Sequence, residues 1–190
     1  MNKIDYQAII KPFLSQKRYY HSICVCDEAV RLAKKYEADE EKAAVAGILH
    51  DIMKDIPPDE QLKMMMRFDI ILTDVERNAQ KLWHAMLGAA YIEKELKILD
   101  ADILNAVRYH TTGRANMTQL EKIILIADFI SKDRDYDGVE VLRQAADVSL
   151  EHAMIEGMTF TIKDLAQNYL PIHPDTIAAY NQAVLKNKYS

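Results

Sequence analysis

Glycine and proline are scarce, five of each in 190 residues. Few positions can therefore break a helix or close a tight hairpin, and no stretch alternates apolar and polar side chains as a half-buried strand does. The expectation is an all-α fold. Only two cysteines occur, Cys24 and Cys26. Two apart on a predicted helix, they face different directions, so neither a disulfide nor a cysteine zinc clip is expected, and free thiols in a cytoplasmic protein are. No apolar run approaches the ~20 residues needed to span a bilayer, and the start, Met1 to Tyr6, lacks the apolar core of a signal peptide. Positive charge is not in excess either: 24 Lys and Arg against 29 Asp and Glu give −5, with no polybasic tract. That argues against a general nucleic-acid binder, while a small anionic ligand stays compatible because local charge governs a site. The length fits one domain, 1–190, of the usual ~100–200 residues, with enough chain to bury a core.

Apolar periodicity places helices near 4–14, 17–36, 39–53, 58–66, 73–96 with a break, 100–110, 118–131, 137–146, 149–168 and 174–187. Pro57-Pro58 suits the start of the fourth, with Asp59 and Glu60 at its positive end, and Gly113 suits the end of the helix leading to His110. Met64-Met65-Met66 reads as irregular core packing in preference to a nucleobase lining. On the last helix, Ile177, Tyr180 and Val184 present an apolar face that either packs on the domain or makes a homodimer.

Four of the six histidines fall on helix faces expected to be buried. His110 continues the stripe of Ile103, Ala106 and Val107. His50 shares its stripe with Ala43, Ala46 and Gly47, small residues that admit a close neighbour. His21 lies with Cys24, Val25 and Glu28, and His84 with Leu87, Gly88 and Tyr91. Asp128 borders the face of Leu120, Ile123, Ile124 and Ala127, and Asp51 follows His50. Taken singly, each histidine is more often a hydrogen-bonded core or surface residue than a ligand. An ionised carboxylate on a buried face, however, needs a cation or strong hydrogen bonds. Imidazoles and carboxylates without thiolates suit iron, manganese, cobalt or zinc, in a catalytic site more than a structural one. His152 and His173 fall outside this set.

The order His21, His50-Asp51, Asp128 resembles the HD-domain metal-dependent phosphohydrolases, which implies an HD-domain helical bundle. Arg18-Tyr19-Tyr20-His21-Ser22 is similar to the family's opening motif, and Leu49-His50-Asp51-Ile52-Met53-Lys54-Asp55 to its HD box. His84, His110-Thr111-Thr112-Gly113, Ala127-Asp128-Phe129-Ile130, Arg134 and Asp137-Gly138-Val139 resemble the YqeK-type subgroup, the symmetrical dinucleoside tetraphosphate hydrolases of bacteria. Ser131-Lys132-Asp133 departs from that subgroup, which more usually carries an acidic residue followed by proline. The resemblance implies that His21, His50, Asp51 and Asp128 hold a first divalent ion, and that His84 and His110 bind a second while Asp51 bridges both. Iron is favoured, with cobalt or manganese as alternatives. With one metal, His84 and His110 would instead bind phosphate or protonate the leaving group.

A polyphosphate substrate also needs cations from the chain. Arg18 lies three residues before His21 and Lys54 four after His50, while Arg114 and Arg134 follow ligand-bearing helices; all four are candidate phosphate contacts. For each the alternative is an ordinary surface charge or ion pair. Asp55 is placed to orient Lys54 or accept a proton. The catalytic set is thus Asp51, Lys54, Asp55, His84 and His110. The implied reaction is hydrolysis of diadenosine tetraphosphate to two ADP. Spacing alone reaches only metal-dependent phosphoester or phosphoanhydride hydrolysis. Another HD nucleotidase, acting on deoxynucleoside monophosphates or a guanosine alarmone, and a non-catalytic nucleotide sensor are the alternatives.

Overall fold

The computed structural model describes residues 5–188, with side chains described through Lys186. Eleven α-helices and one 3-10 turn are found among the described residues, and no strand. In chain order the helices are α1 (Tyr6–Ile10), α2 (Gln16–Lys35), α3 (Glu40–Leu49), α4 (Pro58–Arg67), α5 (Asp74–Arg77), α6 (Trp83–Lys94), α7 (Ala101–Tyr109), α8 (Gln119–Ile130), α9 (Val139–Val148), α10 (Leu150–Gln167) and α11 (Pro174–Lys188). The expected break near 73–96 is the 3-10 turn Gln80–Leu82 between α5 and α6. The first helix is shorter than expected, and its expected start at Ile4 lies outside the described residues.

Short polar side chains start these helices by accepting from amides that have no partner within the helix. Ser15 caps α2, Asp39 caps α3, Asp100 caps α7 and Ser149 caps α10. Thr73 with Glu76 and Thr118 with Glu121 form complete capping boxes at α5 and α8. Pro58 opens α4 with Asp59 and Glu60 in its first turn. At the other end of α7, Gly113 adopts φ +62° and returns its amide to the Tyr109 carbonyl at 2.8 Å. A Cβ there would stand 2.8 Å from the flexible Met158 methyl and 3.1 Å from Ala179 Cβ, so the left-handed backbone and the close approach of α11 both favour glycine.

α8 is the centre of the packing. It meets α2, α3, α7, α9 and α10, and Ile123, Ile124, Leu125 and Ile126 are each no more than 1% exposed. The sequence pattern marks one apolar face; in the structure α8 is covered nearly all round, as a helix without a polar face must be. Each of these side chains contributes roughly 1.5–3 kcal/mol by leaving water. α2 and α3 pack against each other most closely. A Cβ on Gly47 would lie 2.9 Å from Cys26 Cα, so the small stripe of Ala43, Ala46 and Gly47 sets how near the helices come. Met65 is buried while Met66 is exposed, in keeping with core packing. On α11, Thr176, Ala179 and Ala183 face inward; Ile177 remains 38% exposed and Tyr180 packs partly on the core.

The expected third helix, 39–53, stops at Leu49. Beyond it the chain turns tightly, Ile52 N bonding to Leu49 O and Lys54 N to Asp51 O. The cause is His50, whose ring Nδ1 lies 2.7 Å from the Gly47 carbonyl and so occupies an acceptor near the helix end. His50 and Asp51 therefore sit at a helix terminus, where successive side chains can project into one cleft.

Candidate metal centre

Five helices deliver the site: α2 carries His21, the end of α3 carries His50 and Asp51, α6 carries His84, the end of α7 carries His110, and α8 carries Asp128. The four histidines and Asp51 are each no more than 3% exposed, and the Asp128 side chain is 21% exposed. Three overlapping groups have ligand atoms within 4.8 Å of one another: His21, His50 and Asp51; His50, His110 and Asp128; Asp51, His84 and His110. The six residues predicted as ligands thus converge.

Asp51 lies between two sets of rings. Its Oδ2 is 3.4 Å from His50 Nε2 and 3.9 Å from His21 Nε2, on the side of Asp128. Its Oδ1 is 3.0 Å from His84 Nε2 and 3.6 Å from His110 Nε2. On the first side, Asp128 Oδ1 approaches His21 Nε2 at 2.9 Å and His50 Nε2 at 3.9 Å. On the second, His84 and His110 bring their Nε2 atoms to 3.1 Å of each other.

Hydrogen bonds fix which ring nitrogens can bind a cation. A main-chain carbonyl only accepts, so His50 Nδ1, 2.7 Å from Gly47 O, and His110 Nδ1, 2.7 Å from Val107 O, are the protonated nitrogens. Both therefore turn an Nε2 lone pair into the cleft, the arrangement found where histidines hold metals. His50 Nε2 is fully buried and has no hydrogen-bond partner. A buried lone pair without a donor is costly to maintain, and a divalent cation is the partner that this donor set accommodates.

Charges complete the site. Burial pushes the Asp51 carboxyl up, but His50, His110 and His84 more than reverse this and hold it well below the usual carboxylate range. Burial likewise opposes ionisation of Asp128, and His21, Arg134 and His50 overcome it. Burial depresses His84 to about 4 despite the attraction of Asp51. Lys54, whose Nζ lies 3.3–3.4 Å from the His84 ring nitrogens, is also lowered by burial, against Asp51 and Asp128.

Among the predicted cations, Arg18, Lys54 and Arg134 reach the cluster. Arg18 Nη1 bonds Asp51 Oδ2 at 2.8 Å. Arg134 donates Nε to the Asp128 carbonyl at 2.7 Å and pairs through Nη2 with the Asp128 carboxylate. Arg114 is not among them. Its guanidinium forms a two-pronged pair with Glu121, Nε to Oε1 at 2.7 Å and Nη2 to Oε2 at 3.0 Å, and Glu121 is fully buried in the α8 capping box. The ion-pair alternative describes this residue. Arg114→Ala leaves the Glu121 charge uncompensated, so we expect a loss on the order of 3 kcal/mol, about 6–12 °C in thermal midpoint, with kcat unchanged. A lowered kcat at full folding would return Arg114 to the active site.

Asp55 is also placed differently from expectation. It is exposed, and its Oδ2 accepts from the Ser15 amide at 2.8 Å, tying the HD turn to the start of α2. It anchors the helix that carries Arg18 and His21. His173 has a structural place: it is buried, its Nδ1 accepts from the Asp175 amide at 3.1 Å at the start of α11, and its Nε2 faces Glu76 at 3.5 Å. Sequence reasoning missed one structural hub outside the cluster and one contributor to it. Glu76 is a buried hub that pairs with Arg108 at 3.1 Å. Asp133 places Oδ2 2.7 Å from His21 Nδ1. The available signal was its position, a carboxylate five residues beyond Asp128 in the loop leaving α8.

The comparisons agree with this geometry. The HD domain family matches residues 18–133. A protein of Halalkalibacterium halodurans named "Bis(5'-nucleosyl)-tetraphosphatase, symmetrical" is 42% identical over 99% of this chain and 100% of its own length. A Bacillus subtilis protein of the same name is 38% identical over 97% of this chain and 98% of its own. A crystal structure from Clostridium acetobutylicum, described as a "predicted HD superfamily hydrolase involved in NAD metabolism", superposes with a TM-score of 0.91 at 39% identity, covering 95% of this chain and 96% of that one. With the His/Asp cluster occupying the matched segment, the chain belongs to the HD domain family, in the group of the symmetrical bis(5'-nucleosyl)-tetraphosphatases.

Proposed function

We propose that this protein hydrolyses diadenosine tetraphosphate symmetrically to two ADP, at a centre holding two divalent metal ions. The observation that carries the reading is the division of Asp51 between His21 and His50 on one oxygen and His84 and His110 on the other. His21, His50, Asp51 and Asp128 would hold one ion; Asp51, His84 and His110 would hold the other. Iron is the favoured ion and cobalt or manganese the alternatives, since all three accept imidazole and carboxylate donors. Such ions, when bound, lower the pKa of water and stabilise charge on phosphate oxygens.

The chain's own residues then supply binding and charge balance. Arg18 and Arg134 are 28% and 32% exposed at their side chains, so each holds a carboxylate with some N–H groups and keeps others facing solvent. Guanidinium forks of this kind suit phosphate oxygens. Lys54 adds a third donor over His84. ADP leaves as a phosphate anion, so neutralising its charge matters more than protonating it. The choice of a tetraphosphate, and of attack at an inner phosphorus, rests on the likeness to relatives of that name that match over nearly their full length. The free thiols Cys24 and Cys26 suit a reducing cytoplasm as the setting.

Chromatographic product analysis with diadenosine tetraphosphate tests this, using iron under reducing conditions, cobalt, manganese or magnesium in turn. ADP as the sole product is the expected result. ATP with AMP would overturn the inner attack, and no turnover with any metal would overturn the activity.

A further inference from the structure

We propose that Asp133 is the positioning residue for His21, fixing its ring so that Nε2 serves as a metal ligand and strengthening it as a donor; this rests on the metal-centre reading above. The four histidines differ in how they are oriented. His50 and His110 stand at helix ends, where each ring folds back onto a carbonyl three residues earlier. His21 cannot do so. It lies inside α2, which continues to Lys35, and the carbonyls of the preceding turn are engaged in the helix ladder. An acceptor for its Nδ1 must come from elsewhere in the fold.

The loop after α8 supplies one. Asp133 Oδ2 lies 2.7 Å from His21 Nδ1, and its Oδ1 accepts from Ser131 Oγ at 2.8 Å. Ser131 is fully buried, so its hydroxyl has no solvent to turn to. The order is thus fixed: the serine hydroxyl donates to one carboxylate oxygen and the imidazole N–H to the other. This turns His21 Nε2 to the cleft, 2.9 Å from Asp128 Oδ1 and 3.3 Å from Arg134 Nη2, on the side from which an ion would be bound. The loop does not depend on Asp133 for its shape. Arg143 holds it from α9, bonding the carbonyls of Ile130 at 3.0 Å, Ser131 at 3.0 Å and Arg134 at 2.9 Å. A carboxylate partner also makes an imidazole more electron-rich than a carbonyl does, so His21 is the histidine whose donor strength a side-chain substitution can tune.

Asp133→Asn is the test, because it keeps shape and removes charge. With Ser131 still donating to the amide oxygen, the amide N–H₂ faces His21 Nδ1 and drives the ring proton to Nε2, where it blocks the metal lone pair. Cobalt affinity, followed by visible absorption with a competing chelator, should fall about 10–100-fold, while the thermal midpoint of the metal-free protein stays unchanged. Ser131→Ala should weaken cobalt binding in the same direction and by less. Wild-type affinity in Asp133→Asn would overturn the proposal, as would a fall in the metal-free midpoint that accounts for the lost affinity. Failure of the unaltered protein to bind cobalt would overturn the metal-centre reading itself.

Discussion

Asp51→Ala lowers diadenosine tetraphosphate hydrolysis by at least about 10³-fold, at the upper end of what single electrostatic groups supply to such reactions. The size follows from position. Asp51 is 2% exposed and its two oxygens meet all four cluster imidazoles, so its removal takes a shared anion from both proposed ion sites. The effect on folding is smaller. Removing one partner of a fully buried pair costs about 3–5 kcal/mol, but Arg18, the cationic partner, is 28% exposed and can turn its guanidinium to water. Loss of activity should therefore appear in protein that still folds, together with loss of metal per chain. Steady-state kinetics and elemental analysis on the same preparation check this. A variant that retains a tenth of the activity would remove Asp51 from the centre of the scheme.

The convergence of the His/Asp cluster was legible because each member lies on, or beside, an apolar helical stripe. His110 continues Ile103, Ala106 and Val107, and His50 continues Ala43, Ala46 and Gly47; buried polar groups on such stripes must find partners. Helix positions were legible for the same reason, together with Pro58 ahead of Asp59 and Glu60 at the start of α4. What stayed hidden depends on contacts remote in sequence or on competition for one carbonyl. The early end of α3 at Leu49 comes from a side chain taking the Gly47 acceptor, which no periodicity records. Arg114 was a candidate phosphate contact by its place after the His110 helix, and which acid would pair with it was not written in the sequence: the Glu121 carboxylate serves both the α8 cap and the guanidinium. Asp55 was assigned to its neighbour Lys54, but it reaches across forty positions to the Ser15 amide. Asp133 was invisible as a partner of His21 because 112 positions separate them.

His84→Ala should remove one ion per chain and leave the other. Within the His/Asp cluster the ring meets Asp51 on its Oδ1 side, at 3.0 Å, and His110, at 3.1 Å, whereas His21, His50 and Asp128 lie around Oδ2. We expect hydrolysis to fall about 10²–10³-fold, with the metal content dropping by one ion. Equal loss of both ions would sink the two-site scheme, and unchanged metal content would make His84 a phosphate or leaving-group contact. The metal-free protein offers a second readout. Burial lowers His84 to about 4, against about 6.5 in an unfolded chain. The folded state therefore resists taking up a proton that the unfolded state accepts. Stability is full above about pH 6.5 and falls as pH drops toward 4, by roughly 3 kcal/mol from this group. Asp51 and Asp128, held low by their partners, add losses in the same direction at still lower pH. Denaturant midpoints at pH 7 and pH 5 should thus differ less in His84→Ala than in the unaltered protein, whatever cavity the substitution leaves at both pH values. An unchanged difference would mean that the ring titrates in the folded protein as it does in the unfolded chain, and a larger one that it is held protonated in the folded state as a partner of Asp51.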